Sequence, residues 1–253
     1  MTSDIHHTAA DGFARSADAY VRGRPDYPPE ITGWLRDSIR LRPGMTAADL
    51  GAGTGKFTPY LLETGASVIA VEPVDQMREK ISALPVEVIE GSAVSIPLPS
   101  ESVDAIVCAQ SFHWFANAAA LAEIHRLLKP GGRLGLVWNA KDDRVEWVAK
   151  FDQILERYQG DTPRYRSGNW RKAFPTMGFG PLHEARFAHG HTGPAREVIL
   201  DRIRSISFMA KLPPEEWNVV EQELEAMIME EFGNADTIIV PYETFAYWTE
   251  KTG

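Results

Sequence analysis

The sequence predicts an α/β protein whose parallel sheet is covered by helices on both faces. Between residues 45 and 138, short runs of small and apolar residues alternate with amphipathic stretches. The apolar runs are nearly continuous, the pattern expected of strands buried on both sides. Breaks rich in glycine or proline fall where elements should end, at Gly51-Ala52-Gly53-Thr54-Gly55, at Gly65 and at Pro130-Gly131-Gly132. With 253 residues, the chain can form one large α/β domain or a smaller one with an added subdomain.

Taken in order, residues 1–11 are polar and read as a frayed tail that carries His6 and His7. Residues 13–20 suit a short helix, stopped by the proline-rich segment Arg22-Gly23-Arg24-Pro25-Asp26-Tyr27-Pro28-Pro29. Ile31, Trp34, Leu35 and Ile39 then recur at helical spacing. Strands are expected over 47–50, 68–71, 86–89, 103–109 and 133–138. The helices between them are expected over 57–63, 74–84 and 117–129. Beyond Trp138 the alternation lapses. A helix over 146–158, a strand over 183–189, helices over 195–209 and 214–232, and closing strands over 237–240 and 244–248 are expected. The late helix pair stands outside the alternating core and reads as a cap or an oligomer contact.

A net charge of −9 argues against a general nucleic-acid surface, which needs clustered Lys and Arg. The single cysteine, Cys108, leaves no internal disulfide and fits a reducing compartment. The first residues have neither the charge pattern nor the apolar run of a signal peptide or membrane span. A cytoplasmic protein that binds neither membrane nor nucleic acid is expected, and its oligomeric state is not readable. His189 and His191 lack further ligands at metal-site spacing, so no metal is expected.

The glycine turn is the chemical signal. Three glycines in five residues allow a sharp turn and a close approach to a ligand. The helix start behind them would offer unpaired N–H groups and a partial positive charge. A phosphate-binding P-loop fails, because Gly55-Lys56 is followed by Phe57 rather than Ser or Thr. A dinucleotide fingerprint is weakened by Lys56 standing where the third glycine belongs. Glu72, 21 residues beyond Gly51 at the end of the second strand, suits any ribose ligand, because a carboxylate accepts from both hydroxyls of a cis-diol.

Asp49-Leu50-Gly51-Ala52-Gly53-Thr54-Gly55 resembles the first motif of the class I S-adenosylmethionine-dependent methyltransferases, and Val71-Glu72-Pro73 resembles their second. Gly91-Ser92-Ala93 is similar to their adenine-edge segment, and Leu128-Lys129-Pro130-Gly131-Gly132-Arg133-Leu134 to the turn into their fifth strand. Together these motifs span residues 45–138. Tyr20, the Arg24-Pro25-Asp26-Tyr27-Pro28 segment, the Phe112-His113-Trp114-Phe115 run, Tyr242 and Tyr247-Trp248 resemble a small-molecule subgroup, similar to ubiquinone-biosynthesis and trans-aconitate methyltransferases. One departure is Val94, where many relatives carry an acid.

The resemblance implies a doubly wound, mostly parallel seven-stranded Rossmann-like sheet with a helical cap at about 194–233. It divides the chain into an N-terminal helical segment over the cofactor site (1–44), a cofactor-binding core (45–140) and a C-terminal part that completes the sheet (141–253). The implied cofactor is S-adenosyl-L-methionine. Its implied contacts are Tyr20, Arg24, Asp49, Gly51, Ala52, Gly53, Thr54, Gly55, Glu72, Pro73, Met77, Ser92, Ala93 and Gln110, with a small molecule as methyl acceptor. Asp49 would either pin the turn or approach the cofactor's amino group. His113, the one titratable group in its run, would be either a packed histidine or the residue that takes a proton from the substrate or orients it. A nicotinamide-dependent dehydrogenase and a non-catalytic cofactor-binding module are the competing readings.

Overall fold

The computed structural model describes residues 23–253. The expected tail, the helix over 13–20 and Tyr20 lie outside the described residues. Seven strands form one sheet, ordered β3-β2-β1-β4-β5-β7-β6: β1 Thr46–Leu50, β2 Ser67–Val71, β3 Glu87–Ile89, β4 Val103–Ala109, β5 Leu128–Lys141, β6 His183–Gly193 and β7 Ile238–Glu250. Strands β1 to β5 pair in parallel, and β7 runs antiparallel to both β5 and β6. The sheet is therefore doubly wound, with strand order reversing between β1 and β4, where α/β sheets open a crevice for ligands.

The continuous apolar runs follow from the sheet's pleat. Ala105 and Val107 enter the buried layer under helix α1 (Glu30–Asp37) and α2 (Thr58–Leu62), with Ile31, Trp34, Leu35 and Leu61. Ile106 and Cys108 point to the opposite layer, with Ile124 and Leu127 of α4 (Ala118–Leu127). Successive side chains on a strand face opposite ways, so both alternating sets must be apolar when both faces are covered. Each such Leu, Ile or Phe contributes roughly 1.5–3 kcal/mol by burial. Between α2 and α4 lies α3 (Asp75–Ile81), which buries Met77 and Ile81. The side chain of Asn117 caps α4 by accepting from Ala120 N at 2.9 Å.

A third buried layer forms the cap. It joins α5 (Glu146–Glu156), a π-helical segment Arg196–Asp201, the single turn α6 (Arg202–Arg204), α7 (Pro214–Phe232) and the first half of β7. Three expectations are corrected here. The helix expected over 195–209 is a π segment followed by short turns, an arrangement in which Val198, Ile199 and Leu200 are all buried in succession. The two expected closing strands are one strand, β7, that runs through Pro241. The turn expected at Pro130-Gly131-Gly132 lies inside β5, whose pairing with β4 shifts register between Val103 and Ala105. No helix among the described residues is long and apolar enough to cross a membrane.

Candidate functional site

Strand β1 ends at Leu50, and the chain must reverse to reach α2. Gly51 (φ 71°) and Gly53 (φ 60°) adopt the left-handed conformation that this reversal needs. Gly51 N and Ala52 N donate to Val71 O, at 2.8 and 3.2 Å, which ties the turn to the end of β2. Gly55 N donates to Ala52 O, and Gly53 N donates to Glu72 Oε2 at 2.9 Å. Four of the turn's N–H groups are thus already engaged. The turn offers a ligand close backbone approach rather than a nest of open donors.

This turn floors a cleft of about 1190 Å³, open mouth included, over the carboxyl ends of the central strands. Its walls include Gly51, Ala52, Gly53, Thr54, Glu72, Pro73, Met77, Ser92, Ala93 and Gln110, all residues named from the sequence. Glu72 is buried, yet its carboxylate lines the cleft and also accepts from Val74 N at 3.0 Å. Burial raises its pKa, against the lowering effect of the Val74 and Gly53 bonds and of Arg78. Two oxygens, each spending one lone pair on a backbone N–H, retain acceptor capacity toward the cleft.

Arg24, Pro25 and Tyr27 line the same cleft. Lys56 Nζ donates to Arg24 O at 2.6 Å and lies 3.0 Å from the Asp26 carboxylate. Tyr60 Oη accepts from Tyr27 N and donates to Tyr27 O, and Tyr27 meets Phe57 edge-on at 4.9 Å. Lys56, in sequence only a departure from a dinucleotide fingerprint, fastens this strap to the glycine turn.

Two residues expected at the cofactor do not line the cleft. Asp49 is fully buried beneath the turn, where Oδ2 accepts from Thr58 Oγ1 at 2.7 Å and Oδ1 has no partner. Burial drives its pKa up to about 7, opposed by the Thr58 bond and reinforced by Glu72. Its bond with Thr58 ties β1 to the start of α2 beneath the turn. Gly55 also faces away, and a Cβ there would meet Leu84 Cδ1 at 3.0 Å.

A second cavity of about 800 Å³, open mouth included, adjoins the first, with Arg24, Gln110, Trp114, Asn139 and Arg202 lining both. Gln110, just past β4, holds φ 59°, and its Nε2 donates to Asn139 O at 3.1 Å. A non-glycine residue held in the left-handed region marks a position that the surrounding structure enforces. His113 borders only the second cavity. Its Nδ1 accepts from Trp138 Nε1 at 3.1 Å, so the imidazole proton resides on Nε2. Desolvation, with Arg24 and Arg164 behind it, pushes its pKa down to about 3. In this arrangement the ring is neutral and its Nδ1 lone pair is taken up by the Trp138 indole N–H.

Sequence reasoning passed over Asn139, Arg164 and Arg202, which line these cavities. Arg164 follows the irregular stretch after α5, and Arg202 comes from the cap. No local motif flags either one.

Residues 48–136 match a family described as a methyltransferase domain. The chain is 42% identical over 246 residues to an uncharacterized methyltransferase-like protein of Schizosaccharomyces pombe, covering 94% of this chain and 95% of that one. It is 47% identical over 156 residues to an uncharacterized methyltransferase of Mycobacterium tuberculosis, with 61% and 62% covered. The crystal structure of the Bacillus subtilis YcgJ protein shares the fold, with a TM-score of 0.58 at 20% identity over 88% of this chain and 98% of that one.

Proposed function

Since the chain belongs to the class I S-adenosylmethionine-dependent methyltransferases, we propose that it moves the methyl group directly to a small-molecule acceptor, with the donor in the first cleft and the acceptor in the second. The observation that carries this division is the Glu72 carboxylate, held by two backbone N–H groups at a cleft that shares Gln110, Trp114 and Asn139 with a second cavity. The fit to S-adenosylmethionine rests on the same donor set. Glu72 accepts from the ribose hydroxyls, Gly51 to Thr54 seat the methionine end by backbone approach, and Pro73, Met77, Ser92 and Ala93 form the adenine wall. A Cβ at Gly51 would come within 2.7 Å of Ser111 Cβ, so the floor accepts no larger residue there. When bound, S-adenosylmethionine supplies an electrophilic methyl carbon on a sulfonium.

The chain's own task is then to position and to exclude water. Gln110, Trp114 and Asn139, shared by the two cavities, form the passage between donor and acceptor. His113, neutral, with its proton on Nε2, orients the acceptor by donating a hydrogen bond rather than by taking a proton. An acceptor atom that already carries an unprotonated lone pair needs no base.

Calorimetric titration with S-adenosylmethionine, its demethylated product and a nicotinamide dinucleotide tests the cleft assignment. Saturable binding of the first two and none of the third is expected. Incubation with a small-molecule pool should then release demethylated cofactor, and binding without release would indicate a non-catalytic module.

A further inference from the structure

Asn139, near the end of β5, lines both cavities, and three of its polar atoms are engaged in three different elements. Its backbone O accepts from Gln110 Nε2 at 3.1 Å, in the passage between the cavities. Its Nδ2 donates to Asp26 O at 3.2 Å, in the strap whose Arg24, Pro25 and Tyr27 wall the first cleft. Its Oδ1 accepts from Thr244 Oγ1 at 2.6 Å, on β7. Thr244 is fully buried, and its Oγ1 lies 3.0 Å from Nε2 of His189, on the edge strand β6. An unbroken chain of hydrogen bonds thus runs from the edge of the sheet to the strap.

The chain has one direction, and a backbone carbonyl sets it. Asp26 O can only accept, so the Asn139 carboxamide must turn its nitrogen to the strap and its oxygen to Thr244. Thr244 then spends its one hydroxyl proton on Asn139 and can only accept from His189. Burial lowers the pKa of His189 from 6.5, with Glu30 and Asp26 acting the other way, so the ring is neutral above that pH. Its single ring proton is therefore on Nε2. A flipped Asn139 carboxamide has nearly the same shape but sets its oxygen against Asp26 O, two acceptors face to face. Lys56 holds the strap from the glycine turn, at Arg24 O and the Asp26 carboxylate, and Asn139 holds it from β5.

We propose that Asn139 is the positioning residue that seats the strap against the cofactor cleft, with Thr244 and His189 fixing which way its carboxamide faces. Because its backbone O also holds Gln110, the strap and the passage share one fixed point. This rests on the assignment of the first cleft to S-adenosylmethionine, and adds what holds the strap at that cleft.

The test uses the full chain and three readouts. Without cofactor, amide hydrogen exchange at Asp26 and Tyr27 should quicken about tenfold in Asn139→Asp, which sets a second oxygen against Asp26 O, while exchange in β1 and β4 holds. In calorimetry, Asn139→Asp should weaken binding of the demethylated cofactor about tenfold, and Thr244→Val about threefold. Thr244→Ser, which keeps the hydroxyl, should bind within about twofold of the parent protein. Thr244 acts through Asn139, so the double variant Asn139→Asp, Thr244→Val should bind within about twofold of Asn139→Asp alone. Nitrogen-15 spectra of the histidine rings, assigned with His189→Gln, should place the His189 proton on Nε2. Additive losses in the double variant, parent-like exchange in Asn139→Asp, exchange that quickens across the whole sheet, or a proton on Nδ1 of His189 each overturns the proposal. Failure of the parent protein to bind the cofactor, with the exchange and ring-proton results as expected, overturns instead the reading on which it rests.

Discussion

The two adjoining cavities are built by opposite strategies. The floor of the first is backbone and short side chains, contributed by turns that follow β1, β2, β3 and β4, and Glu72 at its wall is held by backbone N–H groups. The second is made of long cationic and aromatic side chains from segments far apart in sequence, Arg24, His113, Lys141, Arg164, Tyr165 and Arg202 among them. Backbone geometry tolerates little change, since an added Cβ at Gly51 has nowhere to go. Side chains on irregular segments can be exchanged while the strands beneath stay in place. A cofactor common to a family suits the first kind of wall, and an acceptor that differs among members suits the second.

The largest expected effect comes from breaking the backbone-built cavity. Gly51→Val forces a β-branched residue to φ 71° and drives a Cβ into Ser111. Strain of roughly 1–3 kcal/mol in stability is expected. Loss of detectable S-adenosylmethionine binding should accompany it in calorimetry, while a folded circular-dichroism spectrum persists. Retained affinity would mean the turn is not the donor's seat.

Glu72→Gln sharpens the contrast at lower cost, because it keeps the shape and removes the charge. Cofactor affinity should fall about ten- to hundredfold. The circular-dichroism spectrum should match the parent protein's, since Glu72 lines the first cavity and not the second. A lost fold would show that the carboxylate is structural.

Asp49 lies under the first cavity and should make stability depend on pH. Its native pKa, about 7, stands above the ordinary 3.8, so the native state holds its proton longer than the unfolded state does. Stability should therefore fall as pH rises from about 4 to 7, with a slope approaching about 1.4 kcal/mol per pH unit from this group alone. Asp49→Asn should flatten that window in urea denaturation at pH 4.5 and 7.5. An unchanged slope would place the titration elsewhere.

The smallest effect on turnover is expected at His113. Its native pKa, about 3, is below the ordinary 6.5, so its contribution to stability is present above pH 6.5 and lost as pH falls toward 3. His113→Gln should remove that acid-side loss. It should lower kcat by less than about tenfold, without erasing any limb of the kcat–pH profile near neutrality, since general-base removal costs about 10²–10⁴. A drop of a thousandfold would restore the histidine as a base.

How far the site was legible follows the same divide. The run Asp49 to Gly55 announced a turn because glycine spacing is a local property, and Glu72 followed from its place at a strand end. The misreadings came where local patterns met packing. The 195–209 helix became a π segment that buries three successive apolar residues. His113 had two readings in sequence, and the group its ring meets, Trp138 of β5, lies 25 residues away.

By itself, then, the amino-acid sequence determined the helix-covered sheet and the glycine turn with Glu72 beside it. Both depend on patterns read within a few residues: apolar runs set by the pleat, glycines set by backbone sterics, and a carboxylate placed at a strand end. Only the tertiary structure decided which titratable groups are charged, that Lys56 fastens the strap, and that Arg164 and Arg202 line one cavity. Desolvation and long-range charge are properties of what surrounds a side chain, and those surroundings come from strands and helices that the chain order keeps apart.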